Sequence, residues 1–125
     1  MNDEYILLGG GDLQFLNLLS SKIQKDFVTK EVYTANEAFD AFYKIQSKQP
    51  KVAVLEMIFP QWDWNGHLIF RLLKKDKRFK DMKTILITDT LDKKAQEIAK
   101  DKDIDKVLFK IYNMDYIFEE IKKFI

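Results

Sequence analysis

Four positions in this chain stand where chemistry can be done. Glu56 ends the apolar run KVAVLE, Thr88 ends TILIT and Lys110 ends KVLFK, while Gly9-Gly10-Gly11 follow YILL near the start. Together they offer an acid, a hydroxyl and an ammonium around a stretch without side chains. Such a set could bind an anion or a phosphate beside a helix N-terminus. The fuller dinucleotide pattern G-x-G-x-x-G is missing, because Leu13 and Gln14 follow Asp12. Asp12 would itself repel an anion; it either caps the helix that follows or reaches into the hollow as a displaced acid. No nucleophile is paired with a base, and no two acids are expected to converge, so the chain reads as a non-enzyme.

Those four positions need elements to hold them. Short β-rich runs at 5–9, 31–34, 51–56, 84–88 and 106–110 alternate with longer helical patterns. Several runs are almost continuous in Ile, Leu and Val, as strands covered on both faces must be. The first helix carries Leu13, Leu16, Leu19 and Ile23 at helical spacing, with Phe15 adjoining and Asp12 as its cap. The second carries Ala38, Ala41, Phe42 and Ile45 after Asn36, a second cap residue. A third covers Leu68 to Leu73, a short charged fourth holds Ala95, Ile98 and Ala99, and the last follows Asn113 with Ile117, Ile121 and Phe124. Five strands alternating with five helices predict an α/β fold, a doubly wound parallel sheet. Ligands in such sheets bind beyond the carboxyl ends of the strands, and that rule selects the four positions above.

Composition narrows the class. The chain has 125 residues, enough for one domain spanning 1–125. It is 46% hydrophobic and 33% charged, with a formal net charge of +1. A charge so near zero calls for neither nucleic acid nor an anionic membrane surface. With no cysteine and one histidine, His67, disulfides, thiolate sites and multi-histidine metal sites are excluded. His67 reads as a surface or packing residue. The N-terminus has acids where a signal peptide needs cations, and no apolar run approaches a membrane span, so a cytoplasmic location is expected.

The site residues also carry a family resemblance. The chain resembles, over essentially its whole length, the receiver domain of two-component response regulators. ILLGGGD stands where that family reads like ILLVDDD, with Gly10 and Gly11 at the positions of the acid pair that holds Mg²⁺. KVAVLEMIFP puts Glu56 at the phosphoacceptor position. TILIT keeps Thr88, and VLFKI keeps Lys110, 22 residues on, with Ile111 for the usual proline. Val107 stands where the family often has a switching aromatic residue. The resemblance implies a flavodoxin-like sheet of order 2-1-3-4-5 and a degenerate member, a pseudo-receiver.

The substitutions have consequences. Phosphoryl transfer is mostly positioning and charge neutralisation, and glycine offers Mg²⁺ no carboxylate. Glutamate is one methylene longer than aspartate, and a misplacement of about 1 Å can cost on the order of 10²-fold in rate. Glu56 and Lys110 are expected to balance each other as an ion pair without metal or cofactor, with Thr88 close by. Glu56 then either mimics the phosphorylated state or is a neutralised relic.

Three functions follow. The first is a signalling or scaffold module that works through protein contacts without aspartyl phosphorylation. The alternatives are an unconventional phosphoacceptor and a small anion or nucleotide sensor using the glycine-lined pocket. For partners, Trp62 and Trp64 flank the former active site, each a candidate anchor or a plug over the glycine hollow. Tyr112 and Tyr116 lie near the face of the fourth helix, fifth strand and fifth helix, where the resemblance implies homodimers or partner contacts. The chain is expected to be a stand-alone adaptor or a fragment of a longer protein.

Overall fold

The computed structural model describes residues 2–61, 63–89, 93–110 and 113–125. Five parallel strands alternate with five α-helices: β1 (Asn2–Gly9), α1 (Leu13–Asp26), β2 (Glu31–Ala35), α2 (Ala38–Lys48), β3 (Pro50–Glu56), α3 (Gly66–Leu73), β4 (Lys83–Thr88), α4 (Lys93–Ile98), β5 (Lys106–Phe109) and α5 (Met114–Lys122). The strand order is β2-β1-β3-β4-β5, as expected for a doubly wound, flavodoxin-like sheet.

Side-chain alternation divides the sheet into two cores. On one face Leu7, Ala53, Leu55 and Leu86 meet Ala41 and Ile45 of α2, Ile69 and Phe70 of α3, and Ile98 of α4. On the other, Ile6, Leu8, Val54, Ile87 and Leu108 meet Leu16, Leu19 and Ile23 of α1 and Ile117, Phe118 and Ile121 of α5. Ile6, Leu7 and Leu8 are all at most 1% exposed, so consecutive residues bury both faces of β1. This is why the strands read as unbroken apolar runs.

Several local details differ from the sequence expectations. β1 starts earlier, at Asn2, and Lys110 lies just past β5 rather than inside it. Its N–H still donates to Thr88 O at 2.8 Å, which extends the ladder by one rung. α2 begins after Glu37, not Asn36, and that residue makes no side-chain cap. Gln61 supplies the cap from a distant loop, its Oε1 accepting from Ala38 N–H at 2.9 Å. Leu13 is 45% exposed and lies off the buried stripe of α1. A 3₁₀ turn at Lys77–Phe79, unpredicted, carries the buried Phe79 into the core.

Candidate functional site

The strand order reverses at β1, between β2 and β3, and the candidate site lies beyond the carboxyl ends there. Gly9 pairs with Leu55 in register, so the next residues, Gly10 just past β1 and Glu56 at the end of β3, lie side by side. Glu56 is 5% exposed. Its Oε2 accepts from Lys110 Nζ at 2.6 Å and its Oε1 from the Asp12 N–H at 3.1 Å. The ion pair expected between Glu56 and Lys110 is therefore present, and the start of α1 supplies a second donor.

Gly10 explains how a glutamate fits. A Cβ built at position 10 would lie 2.2 Å from Glu56 Oε1, 2.4 Å from Cγ and 2.6 Å from Cβ. The space left by the missing side chain is thus occupied by Glu56. Gly11 is less constrained, since its added Cβ would meet Ile58 O at 3.2 Å. Its N–H donates to Ile58 O at 2.9 Å and ties the turn after β1 to the segment after β3.

Asp12 takes both roles left open by the sequence. Oδ1 accepts from Phe15 N–H at 3.1 Å as the N-cap of α1. Oδ2 accepts from Lys110 Nζ at 2.9 Å. Lys110 therefore bridges two carboxylates, and its ammonium also sits 4.6 Å from the centre of the Phe15 ring. This corrects the expectation of a balanced pair: two carboxylates face one ammonium. Sequence reasoning set Phe15 beside the apolar stripe of α1 and gave it no part in the site, because its ring meets Lys110 only through the fold.

The electrostatics follow from burial. Desolvation pushes the Glu56 carboxyl above its ordinary value, against the pull of Lys110 and the Asp12 N–H. Desolvation acts to lower Lys110, but hydrogen bonds to Glu56 and Asp12 outweigh it and hold the ammonium above its ordinary value. Asp12, half exposed, is held below its ordinary value by the hydrogen bonds from Lys110 and Phe15 N–H. Beside this cluster is a hollow of about 330 Å³ lined by Ile58, Phe59, Pro60 and Asp89 with the charged residues.

The donor set does not suit Mg²⁺. That ion requires near-octahedral oxygen ligands at about 2.0–2.1 Å. Gly10 and Gly11 offer no side-chain oxygen. The carboxylates of Glu56 and Asp12 already share the Lys110 ammonium, which takes the place a bridging cation would need. Among the described residues no group of three or more His, Cys, Asp or Glu side chains could hold a metal.

The remaining expected residues are more scattered. Thr88 is 9% exposed and lines a neighbouring hollow with Met57, Ile58, Asp89 and Lys94. Its backbone oxygen, rather than its hydroxyl, is seen to join it to Lys110. Trp64 packs its ring 5.4 Å from Phe39 of α2 and lines a different hollow with Met57, Phe59 and Asn65. Val107 pairs with Leu86 and is half buried against the core. Tyr116 is 43% exposed at the start of α5. Trp62, Tyr112 and Ile111 lie outside the described residues. His67 Nε2 is 2.7 Å from Asp101 Oδ2, which ties α3 to the turn after α4. Among the described residues no helix is long and apolar enough to cross a membrane.

No protein-family model matches the sequence, and no curated protein matches it. Solved structures do. The signal receiver domain of a DNA-binding response regulator from Colwellia psychrerythraea has a TM-score of 0.83 at 20% identity, covering 97% of each chain. A CheY-like receiver domain protein from Methanospirillum hungatei has a TM-score of 0.81 at 20% identity, covering 98% of this chain and 93% of the other. The response regulator TrrA from Thermotoga maritima, solved with Mg²⁺ and beryllium fluoride, has a TM-score of 0.79 at 24% identity, covering 98% of this chain and 99% of the other. Over nearly its whole length the chain has the fold of the response regulator receiver domain.

Proposed function

We propose that this domain is a pseudo-receiver, a signalling or scaffold module that acts through protein contacts without aspartyl phosphorylation. The observation that carries the reading is the Lys110 ammonium held between Glu56 and Asp12, at 2.6 and 2.9 Å. A carboxylate that is 95% buried and already hydrogen-bonded on both oxygens is a poor nucleophile. The glycines at 10 and 11 remove the acids through which Mg²⁺ would neutralise an incoming phosphoryl group. Two carboxylates against one ammonium also oppose the binding of an anion or a nucleotide phosphate at the same place. Glu56 acts in this reading as a fixed structural charge, while Thr88 keeps inherited strand-end geometry. Partners are proteins. The face of α4, β5 and α5, with Val107, Tyr112 and Tyr116, is one proposed contact surface and the place for a homodimer; the loop of Trp62 and Trp64 is another. A cytoplasmic location fits such a role.

The test is phosphorylation itself. Incubation with acetyl phosphate and Mg²⁺, followed by intact-mass spectrometry, is expected to leave the mass unchanged. Magnesium alone is expected to leave the thermal midpoint unchanged, since a ligand selective for the native state must raise it. A stoichiometric phosphoryl adduct on Glu56 would overturn the reading.

A further inference from the structure

Two exposed aromatic side chains share one face of α2. Phe39 and Tyr43, one helical turn apart, are 65% and 68% exposed. Trp64 leans on Phe39, with ring centres 5.4 Å apart and planes at 58°. Trp64 also walls a hollow of about 260 Å³ with Met57, Ile58, Phe59 and Asn65, and Ile58 is 59% exposed at its edge. Three aromatic rings and an adjoining apolar hollow form one surface, because Gln61 caps the first turn of α2 and its carbonyl accepts from the Trp64 N–H. Aromatic residues of this kind are enriched at interface cores and hot spots.

The charges around the patch have one sign to spare. Lys44 is taken up by Asp40 at 3.1 Å and by Thr34 O at 2.9 Å. Glu37 and Asp63 are both exposed, and among the described residues neither forms an ion pair or a side-chain hydrogen bond. The rim is therefore acidic. A second copy of this chain meeting the patch about a two-fold axis would bring those acids towards their own kind, which disfavours pairing. A basic partner has no such conflict.

We infer that the Phe39–Tyr43–Trp64 surface docks an amphipathic segment of another protein, one that presents apolar anchors flanked by lysine or arginine. The anchors cover the rings and enter the hollow beside Trp64, and the cations meet Glu37 and Asp63. Helix-on-groove recognition has this form, with anchors spaced by a helical turn to match Phe39 and Tyr43. The inference rests on the reading of the domain as a binding module, yet the two can fail separately.

The experiment uses two synthetic helical peptides of equal length, one patterned from leucine and lysine and the other from leucine and glutamate. Each is titrated into isotopically labelled protein at physiological salt and followed by amide chemical shifts. The lysine peptide is expected to bind and to move residues 37–44 and 63–66, whereas the glutamate peptide is not. F39A/Y43A and E37K/D63K are each expected to weaken binding by at least about 10-fold. Phe39 and Tyr43 are exposed, so unchanged circular dichroism is expected to report a folded variant. Equal binding of both peptides, shifts centred elsewhere, or affinity untouched by either double substitution would overturn the inference. So would self-association in sedimentation equilibrium that is lost in F39A/Y43A, because the occupant would then be a second copy. Failure of the lysine peptide, with no phosphoryl adduct in the mass test, would reject this surface and leave the reading of the pocket standing.

Discussion

Replacing Gly10 with alanine adds one methyl group where Glu56 already lies. The new Cβ falls 2.2 Å from Oε1, 2.4 Å from Cγ and 2.6 Å from Cβ, all shorter than real contacts of this kind. Either β1 and β3 move apart at their ends or the Glu56 side chain leaves. Overpacking of this sort costs about 1–3 kcal/mol. If Glu56 is displaced, its hydrogen bonds from Lys110 and Asp12 N–H are strained or broken, adding about 1–2 kcal/mol. Lys110 keeps Asp12, which limits that part. The expected cost of G10A is therefore about 2–4 kcal/mol, measured by urea unfolding on far-ultraviolet circular dichroism. In an E56A background two of the three contacts vanish, while the Cβ–Cβ approach and the strain of a side chain at φ +158° remain, so the penalty should fall by at least about 1 kcal/mol without disappearing. A G10A protein within about 0.5 kcal/mol of the parent would refute the claim that Glu56 fills the glycine's place. The same geometry forbids simple reversion to an acid at position 10, since G10D brings the same Cβ, and trimming Glu56 to aspartate leaves its Cβ and Cγ in the way.

K110M removes the ammonium but keeps a side chain over Phe15. Glu56 is then left with only the Asp12 N–H, at an expected cost of about 1–3 kcal/mol, moderated because Lys110 is partly exposed and the acid can take up a proton. The Glu56 carboxyl carbon should titrate at a higher pH in K110M than in the parent by ¹³C NMR; an unchanged midpoint would mean that the lysine contributes nothing to its charge. The pH dependence has a definite sign. Glu56 is held above its ordinary value of 4.5, so it binds its proton more tightly in the folded state. Its contribution is fully present below 4.5 and is lost as pH rises through the folded value. The stability of the parent relative to E56Q should therefore decline as pH rises from about 4.5. A relative stability that climbs over this interval would show that pairing outweighs burial.

The alternation of strands and helices was legible because each central strand is buried on both faces and each major helix on one. Those two constraints write themselves into periodicity. The positions of Glu56, Thr88 and Lys110 followed, since strand ends in a parallel sheet are fixed by register. What periodicity could not carry was direction. The sequence offered Asp12 as the cap of α1 or as a displaced acid, but nothing in it says that the residue does both at once, or that Gln61 rather than Asn36 serves the start of α2. The Asp12–Lys110 and Gln61–Ala38 contacts join residues far apart in the chain, set by loop paths that leave no repeating signal. Leu13 shows the converse, because its spacing fits the apolar stripe while its place on the first turn leaves it 45% exposed.

Glu56 and the absent side chain at position 10 form one structural unit. The glutamate side chain at 56 needs room, and the absent side chain at 10 provides it, one residue past the paired Gly9 and Leu55. Once Glu56 fills that room, its carboxylate lies where Lys110 and the Asp12 N–H can both reach it, and Asp12 is drawn in on the other side of the ammonium. The buried Glu56 carboxylate and the partly buried Lys110 ammonium, each costly to bury alone, are hydrogen-bonded to one another and to the half-exposed Asp12. Desolvation still leaves the Glu56 carboxyl raised, so the cluster holds its shape against an electrostatic cost. The pocket thus keeps an arrangement in which both Glu56 oxygens and the Lys110 ammonium are already engaged, and for that reason the proposed function places partner recognition on surfaces such as the aromatic face of α2.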